Sequence, residues 1–314
     1  MEVRIEGLRF ARRNGFVLDV PALTLASGRV TALLGPNGSG KSTLLRLIAA
    51  LEQPARGRIT LDGRAVAPDR PTRVAVAFAF QEPVFVAGSL RKNLALALRL
   101  RGAARREGWA RMDAAIEACG IGHLLDRDAR HLSGGEAQRA NLARALGLGA
   151  PVMLLDEPLA GLDAPARASL LHDLPGLLRS FATTTILVTH DRDEALRLGD
   201  DLVVMLDGRV RSAGPKRRVF LEPPDAGTAT FLGHTVLEHE GRRVAVRPGA
   251  LAPGPGEVTF TLEVEELFDL ATHREIVGTI GGARVALLVH GEGARPGERM
   301  AVSAPSAAVR DLTQ

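Results

Sequence analysis

A glycine-rich run near the start of the chain combines the residue types that bind phosphate. Residues 35–43 read GPNGSGKST, which fits the spacing G-x-x-x-x-G-K-S. Glycines let the backbone turn tightly so that successive N–H groups point inward, and a following helix adds the positive end of its dipole. In such a loop the lysine reaches the β- and γ-phosphates and the serine ligates Mg²⁺. The pattern predicts an ATP-binding loop of the Walker A type formed by Gly35, Pro36, Asn37, Gly38, Ser39, Gly40, Lys41, Ser42 and Thr43.

The flanks of this loop have the hydrophobic patterns that position it. Residues 29–34 read as a short buried strand, and residues 43–49 read as a helix. Strand, glycine loop and helix form the context in which phosphate loops occur. The alternative, a glycine-rich turn with an unrelated lysine, does not explain both flanks.

Two carboxylates follow an apolar run later in the chain. Residues 151–155 read PVMLL and are followed by Asp156 and Glu157. In a phosphoryl-transfer site Asp156 would hold the Mg²⁺ shell, and Glu157 would polarise the attacking water as a general base. The alternative is a solvated pair that merely ends a strand. The phosphate loop upstream favours the chemical roles.

Two more polar side chains come directly after predicted buried strands. The apolar residues 74–80 are followed by Gln81, and the strand predicted at 185–189 is followed by His190. Ligands bind at the carboxyl ends of parallel strands. A surface-loop role is an equal alternative for Gln81. For His190 a γ-phosphate contact is favoured over a structural role, because it shares the strand-end position with Glu157 and Gln81.

A serine and two glycines precede the helical run 136–148. Ser133 with Gly134 and Gly135 in this position forms a typical capped helix start. A helix start of this kind also binds phosphate. From these residues alone both interpretations stay open.

Composition and charge limit the class of protein. Residues 236–314 carry a net charge of −3 and the preceding residues +7. No Arg/Lys run with interleaved aromatic residues occurs, so we expect no nucleic-acid partner. A single cysteine, Cys119, fits a reducing compartment. No apolar run approaches the roughly 20 residues that span a bilayer, and the N-terminus lacks a signal-peptide pattern, so we expect a cytoplasmic chain.

In their order along the chain, these motifs resemble the motif set of ABC-transporter ATPases. The resemblance covers residues 1–233. It identifies 35–43 as Walker A, Gln81 as the Q-loop, 132–139 as the signature motif, Asp156-Glu157 as Walker B, 160–163 as the D-loop and His190 as the switch histidine. It implies a P-loop NTPase, an α/β fold with a RecA-like core, an antiparallel β subdomain and a helical subdomain at about 84–150.

The same resemblance implies a homodimer that hydrolyses ATP. Two copies of the family's domain pair head to tail, so that Ser133, Gly134, Gly135 and Glu136 would contact ATP held by the partner, with Asp163 in the D-loop. The implied cofactor is Mg²⁺, held by Ser42, Gln81 and Asp156, the last directly or through water. The implied partners are integral membrane permease subunits and, indirectly, a periplasmic or extracellular solute-binding protein. The chain would be peripheral on the inner face of the cell membrane.

One position departs from the family pattern. The family usually stacks adenine on an aromatic residue upstream of Walker A, and Arg12 occupies that place. A guanidinium plane can stack on a base, so we expect Arg12 to contact adenine. Phe16 is the alternative.

The C-terminal residues 234–314 read as a separate β domain. Residues 258–265 alternate between apolar and polar, and 283–289 and 299–302 read as further strands between glycines and prolines. We predict a small β-barrel of the OB type. Residues 244–248 and 297–303 resemble the TOBE domain of importer ATPases, although Gly249 stands where an acidic residue is common.

The resemblance to importers leaves the transported solute open. Residues 81–83 and 93–102 resemble importers of small oxyanions such as tungstate or molybdate. Importers of sulfate, polyamines, iron or sugars are alternatives. A soluble ABC ATPase of translation or DNA repair is a rival from another class, and a regulatory ligand-binding role of the barrel is a third.

Overall fold

The computed structural model describes residues 1–12, 15–103, 105–181, 184–270, 272–289 and 294–312. Contacts within the chain divide it into two compact units, Met1–Lys216 and Arg217–Gln314. The domain boundary at 233 that the sequence suggests lies beyond this division and stays a prediction. None of the helices in the described ranges has the length and apolar character needed to cross a bilayer.

The first unit alternates strands and helices. Its strands are β1 (Val3–Ala11), β2 (Val17–Leu25), β3 (Val30–Leu34), β4 (Arg56–Leu61), β5 (Arg64–Ala65), β6 (Val76–Ala79), β7 (Val152–Asp156), β8 (Thr184–Thr189), β9 (Asp201–Leu206) and β10 (Arg209–Pro215). Its helices are α1 (Lys41–Ile48), α2 (Arg70–Ala75), α3 (Leu90–Arg101), α4 (Arg106–Ala118), α5 (Gly134–Gly147), α6 (Ala164–Ser180) and α7 (Arg192–Leu198).

The strands of the first unit form one mixed sheet in the order β5-β4-β1-β2-β10-β9-β3-β8-β7-β6. The strands from β9 to β6 in this order are parallel, whereas β5, β4, β1 and β2 are antiparallel. Every residue of β3, β7 and β8 is buried, which explains why the runs that predicted them are mostly apolar and do not alternate with charged residues. Parallel strands end at one edge of a sheet, so the loops after β3, β6, β7 and β8 meet there.

Helix α1 anchors the glycine loop to the core of the first unit. Its side chains Leu44, Leu45, Leu47 and Ile48 are buried in one cluster with residues of the sheet. Burial of each such side chain stabilises the fold by about 1.5–3 kcal/mol. The start of α1 is therefore held rigidly at the sheet edge.

Two sequence predictions are corrected in this unit. The sequence pattern predicts two separate short strands at 17–20 and 23–25. In the structure they are one strand, β2, because its pairing with β1 continues on both sides of Pro21. Residues 74 and 75 end helix α2 and do not belong to the strand. Asp69 caps that helix by accepting a hydrogen bond from Thr72 N at 2.9 Å, and Pro71 in the first turn favours a helix start.

The second unit is antiparallel β structure preceded by short helices. Its elements are α8 (Lys216–Leu221, which begins at the last residue of the first unit), α9 (Ala226–Phe231), β11 (Thr235–His239), β12 (Arg242–Val246), β13 (Ala252–Pro253), β14 (Val258–Asp269), β15 (Arg274–Ile280), β16 (Ala283–Val289), β17 (Arg299–Ala304) and β18 (Val309–Asp311). The strands form the sheets β11-β12-β18 and β13-β17-β14-β15-β16. Side chains of both sheets, among them Val246, Leu262 and Val302, share one core. The expectation of an α/β core with a small C-terminal β-barrel is confirmed, the barrel being a half-barrel of two sheets.

Candidate functional site

The carboxyl ends of four parallel strands bring the predicted chemistry together. The glycine loop follows β3, Gln81 lies beyond β6, Asp156 ends β7 with Glu157 directly after it, and His190 follows β8. A cleft of about 470 Å³ at this edge has the size of a small-molecule site. It is lined by Arg12, Phe16, Asn37, Gly38, Gly40, Lys41, Ser42, Thr43, Arg46, Gln81 and Glu157.

The glycine loop has a backbone that other residues would strain. Gly38 and Gly40 have φ angles of +82° and +100°. A Cβ on Gly40 would lie 2.8 Å from Cζ of Phe16, and one on Gly35 would lie 2.2 Å from the carbonyl oxygen of Met205. Helix α1 starts at this loop without a side-chain cap or an acidic residue in its first turn. Its first N–H groups are thus available to an anion in the cleft.

Lys41 is held inside the loop. Its Nζ donates to the carbonyl oxygens of Gly35 at 2.7 Å and Pro36 at 2.9 Å. Burial lowers the pKa of Lys41, while the charges of Glu157 and Asp156 act in the opposite direction. A bound phosphate would offer this ammonium group a stronger, charged acceptor.

Ser42 and Asp156 form a pair of oxygen donors. Ser42 Oγ donates to Asp156 Oδ1 at 2.8 Å. Burial raises the pKa of Asp156, and the hydrogen bond from Ser42 opposes that shift. Carboxylate and hydroxyl oxygens are the ligands that a hard cation such as Mg²⁺ prefers.

The carboxylate of Glu157 contacts both of the remaining predicted residues, Gln81 and His190. Its Oε2 accepts a hydrogen bond from Gln81 Nε2 at 3.3 Å, and its Oε1 lies 3.3 Å from His190 Nδ1. Its φ angle is +45°, in the left-handed region, which costs a non-glycine residue on the order of 1–3 kcal/mol. Strand β8 maintains this strained conformation, because Glu157 N donates to the carbonyl oxygen of Val188 at 3.0 Å.

The segment that carries Gln81 is tied to helix α5 by residues that the sequence analysis missed. Asn141 Nδ2 donates to the carbonyl oxygen of Phe80 at 2.9 Å, and Arg144 Nη1 donates to that of Val84 at 2.8 Å. Arg144 Nη2 also donates to Asn141 Oδ1 at 2.7 Å. Asn141 is 1% exposed. Neither residue stands out in the sequence, because helix α5 also contains Glu136, Gln138 and Arg139.

Arg12 and Phe16 both border the cleft. Arg12 Nη2 donates to Thr43 Oγ1 at 3.1 Å and to Glu52 Oε1 at 3.2 Å. Phe16 packs beside Gly40, at the start of α1. The guanidinium is therefore tethered at the mouth of the cleft, and the adenine contact of Arg12 stays a prediction.

Ser133, Gly134, Gly135 and Glu136 are not among the described residues that line the cleft of their own chain. Ser133 and Gly134 are exposed. The helix start is a capping box, in which Glu136 N donates to Ser133 Oγ at 3.4 Å and Ser133 N donates to Glu136 Oε2 at 2.8 Å. The predicted N-cap is present, and its outer surface is open to a further ligand.

The D-loop segment lies beside this helix start. A Cβ on Gly134 would lie 3.7 Å from the carbonyl oxygen of Gly161. Asp163 caps α6, since its Oδ1 accepts a hydrogen bond from Ala166 N at 2.9 Å. The predicted signature and D-loop residues are thus neighbours within one chain.

Comparison with known proteins gives consistent matches. A family model described as ABC transporter matches residues 18–160. The sulfate/thiosulfate import ATP-binding protein CysA of Mycobacterium bovis is 42% identical over 224 residues, which cover 71% of this chain and 64% of that protein. The sn-glycerol-3-phosphate import ATP-binding protein UgpC of Rhodopseudomonas palustris is 36% identical over 307 residues, covering 90% of this chain and 84% of that protein.

A solved structure matches as well. The structure of cbiO1 from Clostridium perfringens, described as part of the ABC transporter complex cbiONQ, has a TM-score of 0.61 and 30% sequence identity. The match covers 69% of this chain and 90% of that one. The chain thus spans less than two thirds of the mycobacterial relative but most of the length of the other two proteins.

Proposed function

We propose, since the chain belongs to the ATP-binding proteins of the ABC transporter family, that it is the ATP-hydrolysing subunit of an importer. The proposal is supported mainly by one observation. The side chains of Gln81 and His190 both contact the carboxylate of Glu157, which lies at one edge of the phosphate-loop cleft. The proposed reaction transfers the γ-phosphoryl group of ATP to water.

The roles of the residues follow from their positions. Lys41 exchanges its carbonyl acceptors for the β- and γ-phosphates, and the α1 N–H groups bind the same phosphates. Glu157 accepts a proton from the attacking water, and Gln81 and His190 orient that water and the γ-phosphate. The hydrogen bond from Glu157 N to the carbonyl oxygen of Val188 keeps its carboxylate at the strand end despite the strained backbone.

The donor set fits Mg²⁺. Ser42 Oγ and Asp156 Oδ1 are adjacent oxygens beside the cleft, and Gln81 can add an amide oxygen. Bound there with the nucleotide, Mg²⁺ would neutralise charge on the β- and γ-phosphate oxygens. Asp156 and Ser42 would then share the cation in place of their mutual hydrogen bond.

The exposed signature residues support a homodimer. Ser133 and Gly134 present a helix start away from their own cleft, so a second copy is the source of the nucleotide that they would bind. Integral membrane permease subunits, and through them a solute-binding protein, complete the proposed transporter on the inner face of the membrane. The exposed apolar side chains of Phe80, Val84 and Val86, around Gln81, are a suitable surface for a permease loop.

We propose a small oxyanion as the transported solute. One similar protein is named for sulfate or thiosulfate, which are oxyanions, and another for sn-glycerol-3-phosphate, a phosphate ester, whereas a third, of 42% identity, is named for Fe(3+) ions. Residues 81–83 and 93–102 resemble those of tungstate and molybdate importers, which favours tungstate or molybdate among the oxyanions. Uptake of radiolabelled molybdate, tungstate and sulfate by cells that carry the chain with its neighbouring transport genes tests the choice. Uptake of iron or a sugar instead would contradict it.

Release of phosphate from ATP by the purified chain tests the enzymatic proposal. We expect Mg²⁺-dependent hydrolysis that Glu157→Gln lowers by at least about 10²-fold, the lower limit of the range that general base catalysis contributes. Glu265→Gln, an exposed carboxylate on β14, is the matched control and should leave the rate unchanged. Hydrolysis that survives Glu157→Gln would refute the assignment of the base.

A further inference from the structure

A network of polar side chains lies directly behind His190. Thr189, the last residue of β8, donates its Oγ1 hydrogen to Glu194 Oε2 at 2.6 Å and accepts one from Asp191 N at 3.0 Å. Asp191 Oδ1 caps α7 by accepting from Glu194 N at 3.0 Å. Thr189 and Glu194 are 1% and 5% exposed. Local hydrogen bonds therefore restrain the backbone on both sides of His190.

Arg167 connects this loop to a second element. It lies in the first turn of α6, where its N–H donates to the carbonyl oxygen of Asp163 at 2.9 Å. Its Nε and Nη2 donate to Glu194 Oε1 at 2.9 and 2.6 Å, and Nη2 also donates to Asp191 Oδ2 at 2.6 Å. A planar guanidinium that serves two carboxylates is a rigid fork, which an ammonium group cannot reproduce.

The fork borders the proposed reaction site. A cavity of about 190 Å³ has Glu157, His190, Arg167 and Glu194 in its wall, together with Gly161 and Leu162. The side chain of His190 is 57% exposed, so few neighbours restrain it directly. Its orientation toward Glu157 depends on the backbone from which it projects, and that backbone is the part that the network holds.

We propose that Arg167 is a positioning residue for ATP hydrolysis, which fixes the loop carrying His190 to the helix that follows the D-loop. The inference rests on the ATPase function proposed above. In this proposal Arg167 acts through Asp191 and Glu194 and not through contact with the nucleotide or the attacking water. A displacement of about 1 Å in a reacting group can lower a rate by about 10²-fold, so a modest shift of His190 has a measurable effect.

Steady-state hydrolysis of ATP by single variants of the whole chain tests the first half of this inference. Arg167→Met should lower kcat by about 10- to 100-fold. It should leave KM for ATP within about twofold, because Lys41 and Ser42 are unchanged and only transition-state contacts are weakened. Arg167→Lys keeps the charge without the fork and should recover only part of the loss. Arg179→Met, an exposed arginine on the same helix, is the control and should have wild-type kinetics.

The double variant with His190→Ala separates positioning from general stabilisation. If Arg167 acts through His190, Arg167→Met should lower kcat by less than about twofold in the His190→Ala background, because residues that act as a unit are not additive. Losses that multiply, or a change in KM with kcat unaffected, would overturn the proposal. If Arg167→Met does not fold, as judged by circular dichroism, Glu194→Gln provides the same cycle. The glutamine keeps an oxygen for Thr189 and removes the charge that Arg167 binds.

The wild-type and Glu157→Gln rates distinguish failure of the proposed ATPase function from failure of the positioning role of Arg167. A wild type without Mg²⁺-dependent hydrolysis would overturn the proposed function and this inference with it. Hydrolysis that depends on Glu157 and His190 but is unaffected by Arg167→Met would refute the positioning role alone.

Discussion

A charged side chain at the exposed start of α5 should prevent the nucleotide-driven dimer. In Glu157→Gln the amide cannot take the proton of water, so ATP bound through Lys41 and Ser42 is not hydrolysed. With the start of α5 of each chain on the γ-phosphate held by the other, Glu157→Gln should be a monomer without nucleotide and a dimer with Mg·ATP. Adding Ser133→Arg should abolish that dimer, since bulk and positive charge enter a tight contact.

The loss of dimer affinity follows from the number of hydrogen bonds to phosphate that Ser133→Arg removes. A charge-assisted hydrogen bond contributes about 1.5–3 kcal/mol, and a two-fold dimer contains the contact twice, so its loss weakens association by about 3–6 kcal/mol, or roughly 10²- to 10⁴-fold in Kd. The Ser133 hydroxyl also accepts from Glu136 N, but at 3.4 Å. Loss of such a long cap bond should cost about 0.5–1 kcal/mol, too little to unfold the chain.

Size-exclusion chromatography with light scattering measures the dimer, and a fluorescent ATP analogue measures binding by the monomer. Ser89→Arg is a matched control, because Ser89 caps α3 by accepting from Lys92 N at 3.3 Å. In the Glu157→Gln background it removes a similar cap and should leave the dimer intact. A Glu157→Gln/Ser133→Arg chain that still dimerises, or a Glu157→Gln chain that never does, would refute the assignment of Ser133 to the partner's nucleotide.

Three further outcomes are expected. If the guanidinium of Arg12 stacks on adenine, Arg12→Ala should raise KM for ATP more than it lowers kcat; unchanged affinity would shift the base contact to Phe16. Asn141→Ala leaves the carbonyl of Phe80 without its donor, which should cost about 1–3 kcal/mol in a thermal melt and lower kcat by releasing the Gln81 segment; an unchanged melt and rate would contradict that role. Residues 1–233 alone should bind ATP as the whole chain does, and a folded but non-binding 1–233 would refute the boundary or the secondary role of the β domain.

The sequence predicted the strands of the parallel sheet best where burial leaves an unbroken apolar run, as in Val152–Asp156. It failed where a local signal competed with a tertiary one. Pro21 punctuates the sequence, yet β2 continues through it because β1 supplies partners on both sides. Val74 and Ala75 read as strand, yet the Asp69 cap and Pro71 direct them into helix.

Some residues of the candidate site could likewise be predicted from the sequence and others could not. The grouping of Gln81, Glu157 and His190 at one sheet edge could be predicted, because each is a polar residue just after an apolar strand and parallel strands end together. Arg144 and Arg167 could not, since a charged residue on a helix is usually solvated and nothing local shows that it reaches a loop remote in sequence. Only the folded chain brings Arg167 to Glu194, 27 positions away, and Arg144 to Val84, 60 positions away.

The backbone of Glu157 shows why these remote contacts matter for the proposed chemistry. A left-handed glutamate persists only where the surrounding structure enforces it. Here β8 does so, since Val188 accepts the hydrogen bond of Glu157 N, and the same strand ends in Thr189 and carries His190 beyond it. The network of Thr189, Glu194 and Arg167 holds that end of β8. The end of β8 therefore holds both the proposed base, Glu157, and His190. A change that loosens this strand end should displace both residues together from the positions that the proposed reaction needs.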